Sequence, residues 1–451
     1  MGERRFIEYA PDQDFLLPPS LRDWLPENHL SHYIADVVDS LDLSAWESDY
    51  ETDTGAGAPP FPPRMMLKVL IYGYANGVFS SRKLAKRCLE DVAFRFLSAQ
   101  LEPDFRSIIK FRKRHITRFA ALFIEVVHLA QESGLVKLGR LAIDGSKIKA
   151  NASKHKAMSY GRMCEEEQKL KTEIQEIMKQ AEAVDAGEDA EHGEADGYSL
   201  PEQLSYREQR LATIQAARQR LEERARQRAA QEQQRRDEEA LECKAQGEKP
   251  KMYRKEPDAV PKPKEQENFT DPDSRIMRDG ATKGFIQAYN AQIAVDADHQ
   301  IIVATDLDNQ ASDQGHLVPV LEQVKENTGG YPNQALADAG YKSEATFANL
   351  AEHPTDVYIA CGRETYDPRI PCPEGPVPED ATFTQRMERK LLTDEGRSIY
   401  RKRKHIVEPV FGWIKNVLGF RQTSLRGQDN VRGEWFLVCS ALNLRRMAAK
   451  A

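Results

Sequence analysis

Three acidic residues, Asp144, Asp338 and Glu408, each stand at the end or on the face of a segment that reads as buried structure. Asp144 closes the apolar run LAID, Asp338 closes ALAD, and Glu408 lies within YRKRKHIVEPVFGWIK. A carboxylate near a core is costly unless something compensates it, and divalent cations are a common compensation. Three such groups converging in space would make a two-metal site for phosphoryl transfer. Each residue also has a plainer reading. Asp144 in AIDGSKIKANA and Asp338 in LADAGYKSE have a glycine close behind them, so either also suits a turn or cap that bonds nearby backbone amides. Glu408 with a lysine four residues away also suits an exposed helical pair worth about 0.2–0.5 kcal/mol.

The segment around Glu408 carries further information. At about 100° per residue, Tyr400, Lys404, Glu408, Phe411 and Lys415 share one face of a helix, and Ile406, Val410, Trp413, Ile414 and Val417 share the other. The helix therefore has an apolar back and a front with a carboxylate between two lysines. Pro409 costs about 3 kcal/mol in a helix interior, so it marks a kink or a start beside Glu408. Lys147 and Lys149 alternate with Ile148, which puts both on one face of a continuing strand, toward phosphates or toward solvent. Asp296, Asp306, Asp308, Asp313 and Asp273 compete for the same chemistry, with turn and loop roles as the simpler assignment. His316 and His405 read as phosphate or water contacts, or as structural histidines.

The elements that must position these groups fall in a definite order. Residues 1–60 hold an extended start, FLLPPSLRDWLPENHL, and a helical HLSHYIADVVDSLDL; the Gly/Pro loop GAGAPPFPPR follows at 55–64. From Met65 to His128 apolar residues recur at helical spacing, which predicts an all-helical N-terminal domain over 1–130. LVKLGRLAIDGSKIKANAS predicts a strand ending at Asp144. A departure then occupies 156–267: solvated, Glu/Gln/Arg-rich helices at 160–182 and 203–245, forming an antiparallel pair or coiled coil, and a Pro/Lys-rich linker. Two strands turning at Asp296–His299, the helix DQGHLVPVLEQVKENT, the strand QALADAG, the strand VYIACG at 357–362 and closing helices complete the order. The fold class is thus α/β, with a ribonuclease-H-like mixed-sheet core over 136–155 and 268–451 interrupted by the helical insertion.

The 451-residue chain carries a net charge of −7, which speaks against a polyanionic partner until the charge is mapped. From Ser80 to Phe119 eleven Lys/Arg oppose four Asp/Glu, and from Gly396 to Ala451 twelve oppose three; the acid lies elsewhere, as in VDAGEDAEHGEAD at 184–196. Screening limits electrostatic reach to about 10 Å at 0.1 M salt, so local charge governs and DNA stays admissible. The six cysteines form no CxxC pair, which argues against a zinc site and fits a reducing cytoplasm. Neither an 18-residue apolar run nor a secretory leader is evident, so no membrane partner is expected.

AIDGSKIKANAS, the DPDSRIM and KGFIQAYNAQIAVD block, LADAGYKS and the ordered Tyr, Lys, Glu and Lys near the C-terminus together resemble bacterial insertion-sequence transposases of the DDE class. The branch is the one whose helical N-terminal domain carries a PDFRSIIKFRKRH-type motif, and the resemblance runs from about Phe15 to Leu444. It implies that Asp144, Asp338 and Glu408 are catalytic and hold two Mg2+ ions, with Mn2+ as a substitute. The family's signature after the second aspartate is Tyr, two residues, Arg, three residues, Glu, six residues, Lys. Glu408 and Lys415 keep the last gap; counted back from Glu408, the arginine's place is Lys404, and Tyr400 stands one residue too far away. The resemblance further implies that Lys147, Tyr400, Lys404 and Lys415 position DNA near the scissile phosphate. Arg82, Lys83, Lys86 and Arg87, with Arg106, Lys110, Arg112 and Arg114, would bind the inverted repeats. Double-stranded DNA, both transposon ends and target, would be the partner of a homodimer or larger assembly in a bacterial cytoplasm, on the nucleoid. Two other readings use the same residues: a non-catalytic DNA-binding protein derived from such an element, and a ribonuclease-H-like nuclease without strand transfer.

Overall fold

The structure, a computed structural model, describes residues 20–50, 59–188, 199–245, 247, 249–250, 252–253, 255–280, 282–362 and 370–450; it does not describe the side chains of 180–188 and 199–203. The extended start before Ser20, the loop at 55–58 and the acidic tract at 189–196 lie outside the described residues.

Among the described residues the N-terminal segment forms seven helices: α1 (Leu30–Ser40), α2 (Ser44–Ser48), α3 (Pro63–Ala75), α4 (Ser81–Glu90), α5 (Val92–Leu97), α6 (Phe105–Arg114) and α7 (Arg118–Glu132). Their starts follow from local chemistry. Pro63 opens α3, where a missing N–H costs nothing. Asp91 caps α5 by accepting from the amides of Ala93 and Phe94, and Asp104 caps α6 by accepting from Ser107 N.

The main sheet is built from β1 (Arg140–Lys149), β4 (Arg275–Arg278), β5 (Phe285–Asp296), β6 (Ile302–Asp308), β7 (Gln334–Ala337) and β8 (Asp356–Ile359). β5 lies between β1 and the pair β4 and β6, all antiparallel to it; β7 and then β8 continue the sheet from β1 in parallel. This mixed sheet, with α10 (Leu317–Thr328) after β6 and α11 (Glu344–Asn349) before β8, contains the five strands expected from the sequence and one more, β4. The turn at Asp296 is also as expected: Asp296 N bonds Ile301 O and Asp296 Oδ1 accepts from Asp298 N at 3.0 Å. One expectation needs correcting. β1 does not end at Asp144 but runs five residues further, because the long β5 pairs with it from Leu141 to Lys149.

Between β1 and β4 come β2 (Ala157–Ser159), α8 (Tyr160–Glu188), α9 (Ser199–Ala245) and β3 (Gln266–Asn268). The two long helices run antiparallel, as their polar contacts show: Tyr160 bonds Glu222 at 3.0 Å, Arg218 pairs with Glu167 at 2.6 Å, and Arg207 pairs with Glu173 at 2.9 Å. Their small core is Met158, Met163, Leu170, Ile214, Ala217 and Leu221. The β2–β3 pair closes the base of this hairpin.

The chain ends with α12 (Phe383–Leu392), α13 (Asp394–Arg401), α14 (Arg403–Gly412), one π-helical turn at Trp413–Val417, and α15 (Gln428–Ala448). α15 packs against α3 and α7 on one side and β6 on the other. Asn443 exchanges two hydrogen bonds with the backbone of Ile302, at 2.9 and 2.8 Å, and Trp435 Nε1 donates to Thr305 at 2.6 Å. The N-terminal helices and the sheet therefore share one hydrophobic core. Among the described residues no helix is long and apolar enough to cross a membrane.

Candidate active site

Asp144 lies where β1 loses its parallel neighbour. The β1–β7 pairing ends at Ala142 and Leu336, β7 itself ends at Ala337, and Asp338 follows at once. Two carboxylates thus stand on adjacent parallel strands just past the point where their pairing stops, Asp338 at the carboxyl end of β7, where open α/β sheets gather their sites. Asp338 accepts from Gly340 N at 2.8 Å and caps the turn 339–341; Asp144 accepts from Gly145 N at 2.9 Å. The turn reading therefore holds for Asp338, whereas Asp144 stands within β1 and caps no turn.

Side chains alternate across β1. The even residues face α14 and the π-helical turn after it: Arg403 Nη1 donates to Asp144 Oδ2 at 3.1 Å, and Lys415 Nζ donates to Ser146 Oγ at 2.6 Å and to Lys147 O at 3.0 Å. The odd residues face Asp313, which sequence reading left among the loop acids. Asp313 Oδ1 accepts from Gln292 Nε2 and Asn290 Nδ2, each at 2.8 Å, and pairs with Lys147 Nζ at 3.2 Å. Gln292 in turn accepts the hydroxyl proton of buried Tyr341. Glycine at 145 has a steric cause here, since a Cβ would stand 2.5 Å from Gln292 Nε2 and closer still to Asp313 Oδ1.

The electrostatics follow from this crowding. Burial pushes the Asp144 carboxyl up to about 6; Arg403 opposes the rise and the Asp338 charge adds to it. Burial, and then the charges of Asp144, Asp313 and Asp338, hold the Tyr341 hydroxyl well above the ordinary phenol range. Burial also lowers the Lys415 ammonium.

Glu408 sits on the exposed side of α14 and makes no hydrogen bond or ion pair with either aspartate. Among the described residues no group of three His, Cys, Asp or Glu side chains is placed to hold a metal ion. Pro409 lies inside α14 rather than at its start, and the carbonyl of His405, which Pro409 cannot bond, accepts from Gln300 Nε2 at 2.9 Å. Lys404 is exposed and Tyr400 is buried. The arginine that reaches the site is Arg403, separated from Tyr400 by two residues as the first half of the signature asks. Counting from the tyrosine rather than from Glu408 would have found it; the extra residue lies between Arg403 and Glu408.

The other acids are engaged elsewhere. Asp273 accepts from Gln428 N, Asp306 pairs with Arg432 and Asp308 with His316. On α4, Arg82, Lys83, Lys86 and Arg87 are exposed; Arg82 lies over the Phe105 ring, and Lys86 and Arg87 pair with Glu90 and Asp91 one turn on. On α6, Arg106, Lys110 and Arg114 are exposed, Arg114 lying over Tyr50. Arg112, expected on that same surface, is instead 5% exposed and donates to Tyr74, Phe79 O and Ser424, with buried Glu434 at 3.8 Å. It is a structural charge, held by Nη1 inside the fold rather than offered on the surface.

Two family models match the chain: a transposase domain (DUF772) over residues 19–114 and a transposase DDE domain over residues 259–444. The second span contains Asp338 and Glu408 but begins after Asp144, whose strand joins the same sheet through β5 and β7. No curated protein and no solved structure matches the chain.

Proposed function

The chain belongs to the insertion-sequence DDE transposases, and we propose that it binds the terminal inverted repeats of such an element and catalyses metal-dependent cleavage and joining of their DNA strands. The observation that carries this is the placement of Asp144 and Asp338 on adjacent strands just past the end of the β1–β7 pairing, with the Asp144 carboxyl raised to about 6 in a setting that a cation would relieve. The donors are hard carboxylate oxygens, which suit Mg2+ or Mn2+. Asp144 and Asp338 would hold the metal, and Glu408, exposed five residues beyond Arg403, would complete the set. Bound there, a pair of such ions would activate water or a 3′-hydroxyl and stabilise the leaving 3′-oxygen.

The chain's own residues do the rest. Lys415, fastened to Ser146 and to the Lys147 carbonyl, holds the C-terminal end of the α14 segment onto β1 and so fixes which face Glu408 presents. Arg403 offers a planar guanidinium suited to a phosphate, and Lys404 adds a mobile cation beside Glu408. Exposed Arg82, Lys83, Lys86 and Arg87, with Arg106, Lys110 and Arg114, supply cations for the DNA backbone, which makes end binding steeply salt-dependent. Both ends must be held together, and the α8–α9 hairpin, a coiled-coil-like arm, would reach the second protomer.

A second reading draws on one observation: Arg403 already occupies Asp144 while Glu408 stands apart, as in a DNA-binding protein that no longer cleaves. One set of assays separates the two. Wild-type protein with Mg2+ should nick and join end-containing DNA, whereas Asp338→Asn and Glu408→Gln should bind it and leave it intact. Cleavage that survives either substitution overturns the metal assignment, and a wild type that binds without cleaving favours the second reading.

A further inference from the structure

We propose that a groove at the far end of β1 receives an unpaired stretch of DNA, with phosphates on Lys149, Lys154, Lys156 and Arg426 and a base stacked on Phe285. This rests on the DNA-processing reading above and adds a binding site to it. The groove has a volume of about 660 Å3 and is walled by residues 149–156, the start of β5 and residues 422–426. No Asp or Glu lines it, and the three lysines have no carboxylate partner among the described residues. Arg426 is fixed by donating its Nε to Asn151 O at 2.9 Å, which leaves the rest of its guanidinium toward the groove's occupant.

Phe285, the first residue of β5, is 62% exposed at this groove. An aromatic ring held in water amid cations has an evident use as a stacking platform, because base–aromatic stacking tolerates any sequence. Bases inside a duplex have both faces covered by neighbours, so the ring selects an unpaired one.

The groove is also preformed. Lys149 N bonds Arg421 O at 3.1 Å and Thr423 N bonds Lys149 O at 2.9 Å. Ala150 N bonds Gln287 O at 2.8 Å, and Phe269 N bonds Lys156 O at 2.9 Å. Asn268 Nδ2 donates to Ser153 O at 2.7 Å. Its walls therefore come from four separate parts of the chain, Thr270 included, stitched by hydrogen bonds, and binding need not order them. Its place is informative too. Lys149 lies five residues beyond Asp144 on one strand, about 17 Å at 3.3 Å per residue. On its other side, Asn151 and Gln422 also line a second cleft with Arg82 and Phe105. The path runs from the paired aspartates past the groove to the basic face of α4.

The test measures binding of the full-length protein to fluorescent DNA by anisotropy at several salt concentrations, using a plain duplex and the same duplex with a single-stranded tail. The tailed probe should bind more tightly than the duplex. Phe285→Ala should weaken tailed-probe binding about 5- to 150-fold, leave duplex binding unchanged, and be rescued by Phe285→Trp. Replacing Lys154 and Lys156 by Ala should flatten the salt dependence on the tailed probe by about 1.4 in log–log slope. Equal binding of the two probes by wild type, a silent Phe285→Ala, or an equal loss on both probes overturns the groove, as does tighter binding of an RNA tail. These outcomes are independent of Mg2+-dependent cleavage. Tail-selective binding without cleavage would leave the groove standing and remove the catalytic reading, and cleavage without tail selectivity would do the reverse.

Discussion

Replacing Asp144 by Asn tests whether the site holds a carboxylate in an environment that disfavours its charge. Burial moves this carboxyl from its ordinary 3.8 to about 6, although Arg403 lies 3.1 Å away. At about 1.36 kcal/mol per pKa unit, that is about 3 kcal/mol of strain in the ionised native protein. The sign follows from proton counting. Between pH 3.8 and 6 the native state keeps a proton that the unfolded chain has lost, so stability falls as pH rises and is flat above 6. Asn cannot titrate, and the Arg403 donor it leaves behind costs about 1–3 kcal/mol at every pH. The measurement is urea unfolding of metal-free wild type and Asp144→Asn from pH 4.5 to 8. The difference, wild type minus variant, should decline by about 2 kcal/mol across that range and level off above pH 6. Added Mg2+ should then stabilise wild type and not the variant. A difference that does not change with pH would refute the account of the site, whatever its size.

Two further outcomes follow from the packing. Glu434 is fully buried, accepts from Tyr74 at 3.0 Å and from Ser424 N at 2.9 Å, and faces Arg112; Glu434→Ala should cost about 3–5 kcal/mol in chemical unfolding, and Glu434→Leu combined with Arg112→Leu should recover much of it. Burial between Trp46 and Phe111 pushes His115 down to about 4 against the pull of Asp49. The unfolded chain therefore takes up a proton first, and up to about 3 kcal/mol present above pH 6.5 should be lost as pH falls to 4, a loss that His115→Phe removes.

Much of the sheet was legible because its apolar runs alternate or end at turn residues: LAID, QALADAG and the turn at Asp296 gave β1, β7 and the β5–β6 connection. The misses have physical causes. β4, RIMR, is four residues long and owes its strand to pairing with β5, not to any pattern of its own. β1 outlives its apolar run because Asn290 and Gln292 on β5 pair opposite Lys147 and Gly145. Charge periodicity placed Arg112 with its basic neighbours, yet only the fold brings Tyr74 and Glu434 around it. Asp313 could not be told from the other competing acids, since its partners come from β1 and β5, and Arg403 was hidden by counting from the wrong end of its motif.

The contact between Asp144 and Arg403 has a consequence for how metal and DNA act on each other. Each ligand wants one member of the pair: a cation the Asp144 oxygens, a phosphate the Arg403 guanidinium. Whichever binds first breaks the 3.1 Å contact, and the second then finds its partner released. Breaking the contact is met once rather than twice, so the two affinities must rise together, and reciprocally. Mn2+ titrations of the full-length protein, with and without end-containing DNA, should therefore show tighter metal binding in the presence of DNA, by about 5- to 150-fold. Arg403→Ala should bind Mn2+ more tightly than wild type without DNA, because Asp144 is already free, and should lose most of the coupling. Coupling that survives in Arg403→Ala would place its origin in direct metal–phosphate contact instead, with the ion pair a bystander.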